Sequence, residues 1–143
     1  MTGVQTCALP IFEYCKSLQE YFLEFCPNFH CEIIHGNVNN RDEIIIDTKG
    51  RNDVIIVATY ETMSTGVSIN NLHHLHFPDG GRSEIRIKQS CGRILRLDDL
   101  KILANVWDYQ DQMKKSSYLV HANERNKIYV EEKFPSKEYN TTI

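Results

Sequence analysis

Residues 53–59 (DVIIVAT) form a continuous run of β-branched and small apolar side chains with no alternation. A strand that is apolar at every position has no face for water and must be covered on both sides. That is the condition of an inner strand in a parallel sheet. The flanking segments extend the pattern. Residues 31–35 (CEIIH) make a short apolar run leading into Gly36, and 73–77 and 102–107 are further strand candidates. Helices are expected between them. Over 12–26, Cys15, Leu18, Phe22 and Phe25 recur at helical spacing up to Pro27. A short helix fits 41–48, with Asn39 and Asn40 as cap candidates and a stop near Gly50. A third fits 83–95, with Ile85, Gln89 and Gly92 on one side, and a last one fits 124–134, packing through Ile128 and Phe134. Strands alternating with helices imply a layered α/β domain with a mainly parallel sheet, and 143 residues suit one such domain.

The overall charge of −3 argues against a general polyanion binder, but the charge is unevenly spread. Residues 12–47 hold two basic and seven acidic side chains, a net of −5, whereas 82–101 hold six basic and three acidic, a net of +3. Phosphate chemistry is therefore expected in the second segment. No apolar run approaches the roughly 20 residues that cross a bilayer. The five cysteines, Cys7, Cys15, Cys26, Cys31 and Cys91, are odd in number and include no C-x-x-C pair. They read as buried free thiols in a reducing, intracellular compartment.

The first eleven residues, MTGVQTCALPI, carry no charge and lack the basic start and sustained apolar core of a signal peptide. They resemble the in-frame translation of a common sequencing-library adapter. The expected division is therefore an assembly artefact over 1–11 and the functional domain over 12–143, the latter being the tail of a longer, N-terminally truncated protein.

In open parallel sheets the working loops follow the carboxyl ends of the strands. After the buried run comes YETMSTGVSI, a set of hydroxyls around Gly66 that could present donors to phosphates, although an ordinary polar loop fits the same spacing. The second informative segment, QSCGRILR, places Arg93 and Arg96 three apart on one side of a helix, with Gln89 one turn earlier and Gly92 between. Two guanidinium forks on a rigid face match the oxygens of a terminal phosphate, and Gly92 permits close approach; two solvated arginines are the plain alternative. His73, His74 and His76 lack an evident further ligand, so a structural role is weighed above a metal site, and no metal ligand is assigned. Met63 and Trp107 read as packing residues. Asp108 and Asp111 read as structural or interlobe carboxylates.

Taken in order, these segments resemble the C-terminal RecA-like lobe of superfamily 2 helicases. ATYETMSTGVSI is similar to motif V of that family and QSCGRILR to motif VI, with LHHLHF as the intervening strand. IIHG followed by Arg41 is similar to the segment before motif V, and YCKSLQEYF to the helix after motif IV. The STG-S-NNLHH stretch and the Val106-Trp107-Asp108 strand end resemble phage UvsW-type DNA helicases, the resemblance covering about residues 12–111. It implies that Arg93 and Arg96 reach the γ-phosphate across the interlobe cleft, one of them as an arginine finger. It implies nucleotide-proximal positions for Gln89, Gly92, Gly66 and Ser68, although many relatives carry Asp in place of Ser68. Thr59, Thr65, Gly36 and Arg41 match positions that touch the nucleic-acid backbone.

Neither a G-x-x-x-x-G-K-[ST] loop nor a D-E-x-[DH] box occurs in the sequence. ATP and Mg2+ would therefore be held only together with an N-terminal RecA-like lobe of the same polypeptide, and the chain by itself is expected to be inactive. The expected function is the motor lobe of an ATP-dependent DNA helicase or translocase acting on single-stranded or branched DNA in repair or recombination. The alternatives are the same lobe in a restriction or remodelling translocase or an RNA helicase, or a stand-alone nucleic-acid-binding module.

Overall fold

A computed structural model describes residues 5–8, 14–36, 39–64, 68–78, 83–96, 99, 101–110 and 117–141. Five strands, β1 (Gln5–Ala8), β2 (His30–Ile34), β3 (Val54–Ala58), β4 (Leu72–Phe77) and β5 (Asn105–Asp108), form one sheet in the order β2-β3-β1-β4-β5. Every pairing in it is parallel. The helices are α1 (Cys15–Phe25), α2 (Arg41–Thr48), α3 (Tyr60–Ser64), α4 (Glu84–Ile94) and α5 (Ser117–Glu131). Residues 5–8 of the adapter-like segment hold the central strand position, directly before α1.

As its unbroken apolar run requires, all five residues of β3 are buried. Val54, Ile56 and Ala58 face one core with Ile45 of α2, Ile87, Cys91 and Ile94 of α4, and Ile128 of α5. Ile55 and Val57 face a smaller core on the other side with Cys15, Leu18 and Phe22 of α1. Phe25, expected in that stripe, is exposed and packs on Tyr21 instead, their ring centroids 4.6 Å apart. The pairing register slips at the start of β4: Gln5 aligns with Leu72 but Thr6 with His74. The extra residue lets Leu72 join Leu75 and Phe77 in the larger core despite its odd separation from them.

Helix ends follow local chemistry. Gly50 adopts φ +83 just past α2, the left-handed conformation glycine reaches without a Cβ clash. Asn40 takes the N-cap position of α2, but its side chain makes no capping bond. Helix α5 begins at Ser117, two turns before the expected Glu124, and ends at Glu131. There the Phe134 N–H reaches the Tyr129 carbonyl at 3.0 Å and the Lys133 N–H that of Val130 at 3.1 Å, with Lys133 at φ 55. These are the paired bonds of a Schellman stop, and they turn Phe134 back onto the core.

Two polar arrangements hold the β5 side together. Arg125 of α5, almost fully buried, donates from Nε to Asp108 Oδ2 at 2.8 Å and from Nη2 to Oδ1 at 2.7 Å. The Tyr129 hydroxyl donates to the same carboxylate at 2.9 Å. Burial works against the Arg125 charge, but the paired carboxylate outweighs it and raises the pKa. This completes the structural reading of Asp108: it fixes α5 to the end of the edge strand. On the same sheet face as α1, toward the β5 side, His74 and His76 stack with Trp107 and Tyr109. Trp107 Nε1–H donates to His74 Nδ1 at 2.9 Å, and His76 Nδ1 shares a hydrogen bond of 2.8 Å with the Tyr109 hydroxyl. The histidines are thus engaged with aromatic neighbours, and no cluster of three metal-ligating side chains occurs among the described residues. Of the described cysteines, Cys15, Cys31 and Cys91 are buried free thiols and Cys26 is half-buried.

Two predictions follow from these contacts. Truncating Arg125 to Ala leaves the Asp108 carboxylate without its counter-ion in a largely dry site, at a cost of about 3–5 kcal/mol, read as a lowered urea midpoint. Burial, reinforced by the charge of His74, pushes His76 down to about 4. Between the ordinary histidine pKa of about 6.5 and that value the unfolded chain gains a proton that the folded chain refuses, so stability falls as pH is lowered through this window. Urea midpoints at pH 7 and pH 5 should differ less in His76→Gln than in the parent chain.

Candidate phosphate site on helix α4

Helix α4 has a packed side and an open side. Ile87, Ser90, Cys91 and Ile94 are buried against the sheet, and this fixes the rotation of the helix. Ile85, Gln89, Gly92 and Arg96 consequently lie on an exposed stripe at helical spacing, and Arg93 sits half-buried beside it. A Cβ added at Gly92 would meet nothing within 4 Å, so the surface above it is open. The face singled out from Ile85, Gln89 and Gly92 is thus the outward one, and the core-facing residues are its complement. Lys88 anchors the helix from the side, donating to Glu84 at 3.0 Å and to Glu132 beyond α5 at 2.8 Å.

Arg93 is the electrostatic centre of the site. Its pKa is lowered first by burial, then by the positive charges of Arg96 and Arg41. Arg41 is the first residue of α2, far from α4 in sequence, and nothing in the spacing of residues pairs the two. A partly dehydrated guanidinium with two further positive charges near it favours an anion at this surface. Arg96 also donates from Nη1 to the Ser68 hydroxyl, bringing the segment that enters β4 against the end of α4.

The segment after β3 differs from the polar loop expected there. Residues 60–64 form the short helix α3, because Tyr60 turns inward to stack on Phe77 at 5.6 Å and 4°, and Thr62 is buried. The Thr59 and Thr62 hydroxyls bond to each other at 2.9 Å. Thr65, Gly66 and Asp111, with the side chains of Cys7 and Met63, lie outside the described residues. Thr59 and Gly36 follow the adjacent parallel strands β3 and β2, whose last residues Ala58 and Ile34 are in register, so both emerge at the same edge of the sheet. The site residues therefore fall into two groups, Arg93, Arg96, Ser68, Gln89 and Gly92 around α4, and Gly36 and Thr59 at the carboxyl ends of β2 and β3. Arg41 reaches toward the first group electrostatically, although its sequence context had placed it with the second.

Comparison with known proteins accords with this architecture. The family model described as "Helicase conserved C-terminal domain" matches residues 3–98. The "ATP-dependent DNA helicase uvsW" of Enterobacteria phage T4 is 35% identical over 117 residues, covering 71% of this chain and 23% of that protein. The chain thus spans about a quarter of the length of that relative. The crystal structure of T4 UvsW superposes with a TM-score of 0.65 at 24% identity, over 92% of this chain and 29% of that one. Domain 2 of the Mss116p DEAD-box helicase, solved bound to an RNA duplex, gives a TM-score of 0.62 at 18% identity, over 75% and 42% of the two chains. The parallel sheet, its flanking helices and these matches together show that the chain belongs to the helicase conserved C-terminal domain family, as the C-terminal RecA-like lobe of a superfamily 2 helicase.

Proposed function

We propose that this chain is the C-terminal motor lobe of an ATP-dependent DNA helicase or translocase, working against an N-terminal RecA-like lobe of the same polypeptide. The observation that carries the reading is the placement of Gln89, Gly92 and Arg96 on the open stripe of α4, with Arg93 half-buried beside it and Arg96 bonded to Ser68. Guanidinium forks fit the oxygens of a terminal phosphate, and repulsion among them makes phosphate binding more favourable than at a lone arginine. Arg93 and Arg96 then supply the arginine finger, holding the charge that develops on the transferred phosphoryl group. Gln89 and Ser68 orient that contact, Gly66 is assigned to the nucleotide by its motif, and Gly92 keeps the surface open. Mg2+, bound with the triphosphate, neutralises phosphate charge; its carboxylate ligands and the phosphate-binding lysine belong to the first lobe in this reading.

Gly36 and Thr59, at one sheet edge and separate from Arg93 and Arg96, form this lobe's share of the nucleic-acid grip, to which the motif adds Thr65. For Thr59 this requires its hydroxyl to exchange Thr62 for a backbone phosphate. Arg41 lies between the two functions, on the helix that follows Gly36 and within electrostatic reach of Arg93. Closure of the lobes on ATP would move the two grips relative to each other. DNA, single-stranded or branched, is the favoured polymer because the curated relative is named a DNA helicase. Residues 1–11 in this reading are an adapter-derived replacement for the native strand before α1, and 12–143 are the lobe proper. The expected location is the cytoplasm of a bacterial or phage-infected cell; no helix among the described residues is long and apolar enough to cross a membrane.

The test is ATP hydrolysis. The chain alone should show none, with or without DNA. Joined in one polypeptide to the first lobe of a UvsW-type helicase it should gain DNA-stimulated turnover, and Arg93→Ala should lower that turnover by about 10³-fold or more with folding intact by circular dichroism. Turnover that survives Arg93→Ala would overturn the assignment.

A further inference from the structure

Lys101 follows α4 in the segment leading to β5, and its ammonium joins two parts of the chain. It donates to the carbonyl of Ile94, the last residue of α4, at 2.7 Å, and to the carbonyl of Asn70, just before β4, at 2.8 Å. The Ile94 carbonyl is one of the acceptors a helix leaves unsatisfied at its carboxyl end, where a cation is also favoured by the helix dipole. Asn70 is two residues beyond Ser68, and Ile94 is two residues before Arg96. The two segments joined by Lys101 are therefore the same two that meet through the Arg96–Ser68 contact.

The 68–71 segment has further anchors. Ile69 is buried in the larger core, and Asn71 Nδ2 donates to the Arg51 carbonyl at 2.8 Å. Ile69 shares that core with Ile87, Cys91 and Ile94 of α4, and Lys101 and the Ser68 hydroxyl add the polar ties between the segment and the end of the helix. Arg96 is exposed, with a long side chain whose freedom is costly to restrict, so a guanidinium held by a hydroxyl needs that hydroxyl held in turn. We propose that Lys101 is a positioning residue: it clamps the segment carrying Ser68 to the end of α4 and thereby aims Arg96 along the open stripe. The inference deepens the phosphate-site reading and rests on it for its functional consequence, though the clamp itself can be tested separately.

The experiment uses the chain as it is, with two readouts: amide hydrogen exchange followed by NMR, and titration with inorganic tripolyphosphate. In Lys101→Met, exchange should accelerate at 68–71 and 94–96 and remain unchanged in β3, and tripolyphosphate binding should weaken about tenfold. Lys101→Arg, which keeps a donor to both carbonyls, should recover most of the affinity. A double-mutant cycle separates aim from simple loss of charge: once Ser68→Ala has removed the contact, Lys101→Met should have little further effect. An equal loss in both backgrounds would mean that Lys101 acts only through its charge and would overturn the proposal. Should Arg93→Ala bind tripolyphosphate as well as the wild-type chain does, the phosphate-site reading fails; in that case, or if the chain without the first lobe binds none, exchange alone decides the clamp: accelerated at 68–71 supports it, unchanged overturns it. If Lys101→Met does not fold, Lys101→Gln, which retains one donor, takes its place in both assays.

Discussion

The rotation of α4 about its axis is fixed by four buried side chains, Ile87, Ser90, Cys91 and Ile94, pressed against the sheet. Interiors pack too tightly to let a helix turn without exposing one side and burying the other. Rotating α4 would drive Gln89 or an arginine into the core, so the packing that stabilises the fold also sets which residues reach outward. The polar network behind the helix reinforces this. Burial, with the nearby Asp108 carboxylate adding to it, pushes the Cys91 thiol up to about 12 and keeps it neutral. Arg125 and Tyr129 hold that carboxylate in turn. The chain of contacts runs from α5 through Asp108 to the back of α4, with the arginines on the helix's other side.

Electrostatics points the same way. Burial and the nearby Arg96 and Arg41 charges lower the Arg93 pKa, a cost to its charged form in the lobe by itself. Such a conflict between local energetics and global fold is the usual mark of a binding site. Lys88, by contrast, is matched by Glu84 and Glu132 and reads as an ordinary tie between helices.

The elements most legible in the sequence are those whose own pattern determines them. Strand β3 had no solvent-compatible face, α2 carried its stop at Gly50, and the α4 motif lay on a helix with the expected bounds to within one residue. The elements that depended on distant partners were less legible. Strand β5 starts at Asn105, where pairing with His74 begins, so the apolar Ile102 and Leu103 that suggested an earlier start lie exposed outside it. Helix α3 is too short to display a period, and Tyr60 reveals its direction only once Phe77 is beside it. The inward face of α5 depended on Arg125, a charged residue whose burial is decided by Asp108 on another element. Within the site, the Arg93 and Arg96 pair could be read from spacing, whereas the approach of Arg41 is a product of the tertiary fold alone.

All of these features acquire a use if a second lobe faces α4. The most direct test is a long read of the source DNA across the codon for Phe12 and about 1.5 kilobases upstream, the span of one or two further domains. The account predicts that the reading frame continues past Phe12 without the adapter-like stretch and encodes a phosphate-binding loop and an acidic box. A stop codon immediately ahead of a genuinely encoded Met1 would contradict it, and the arginine cluster would then have to serve a chain that has no motor partner of its own.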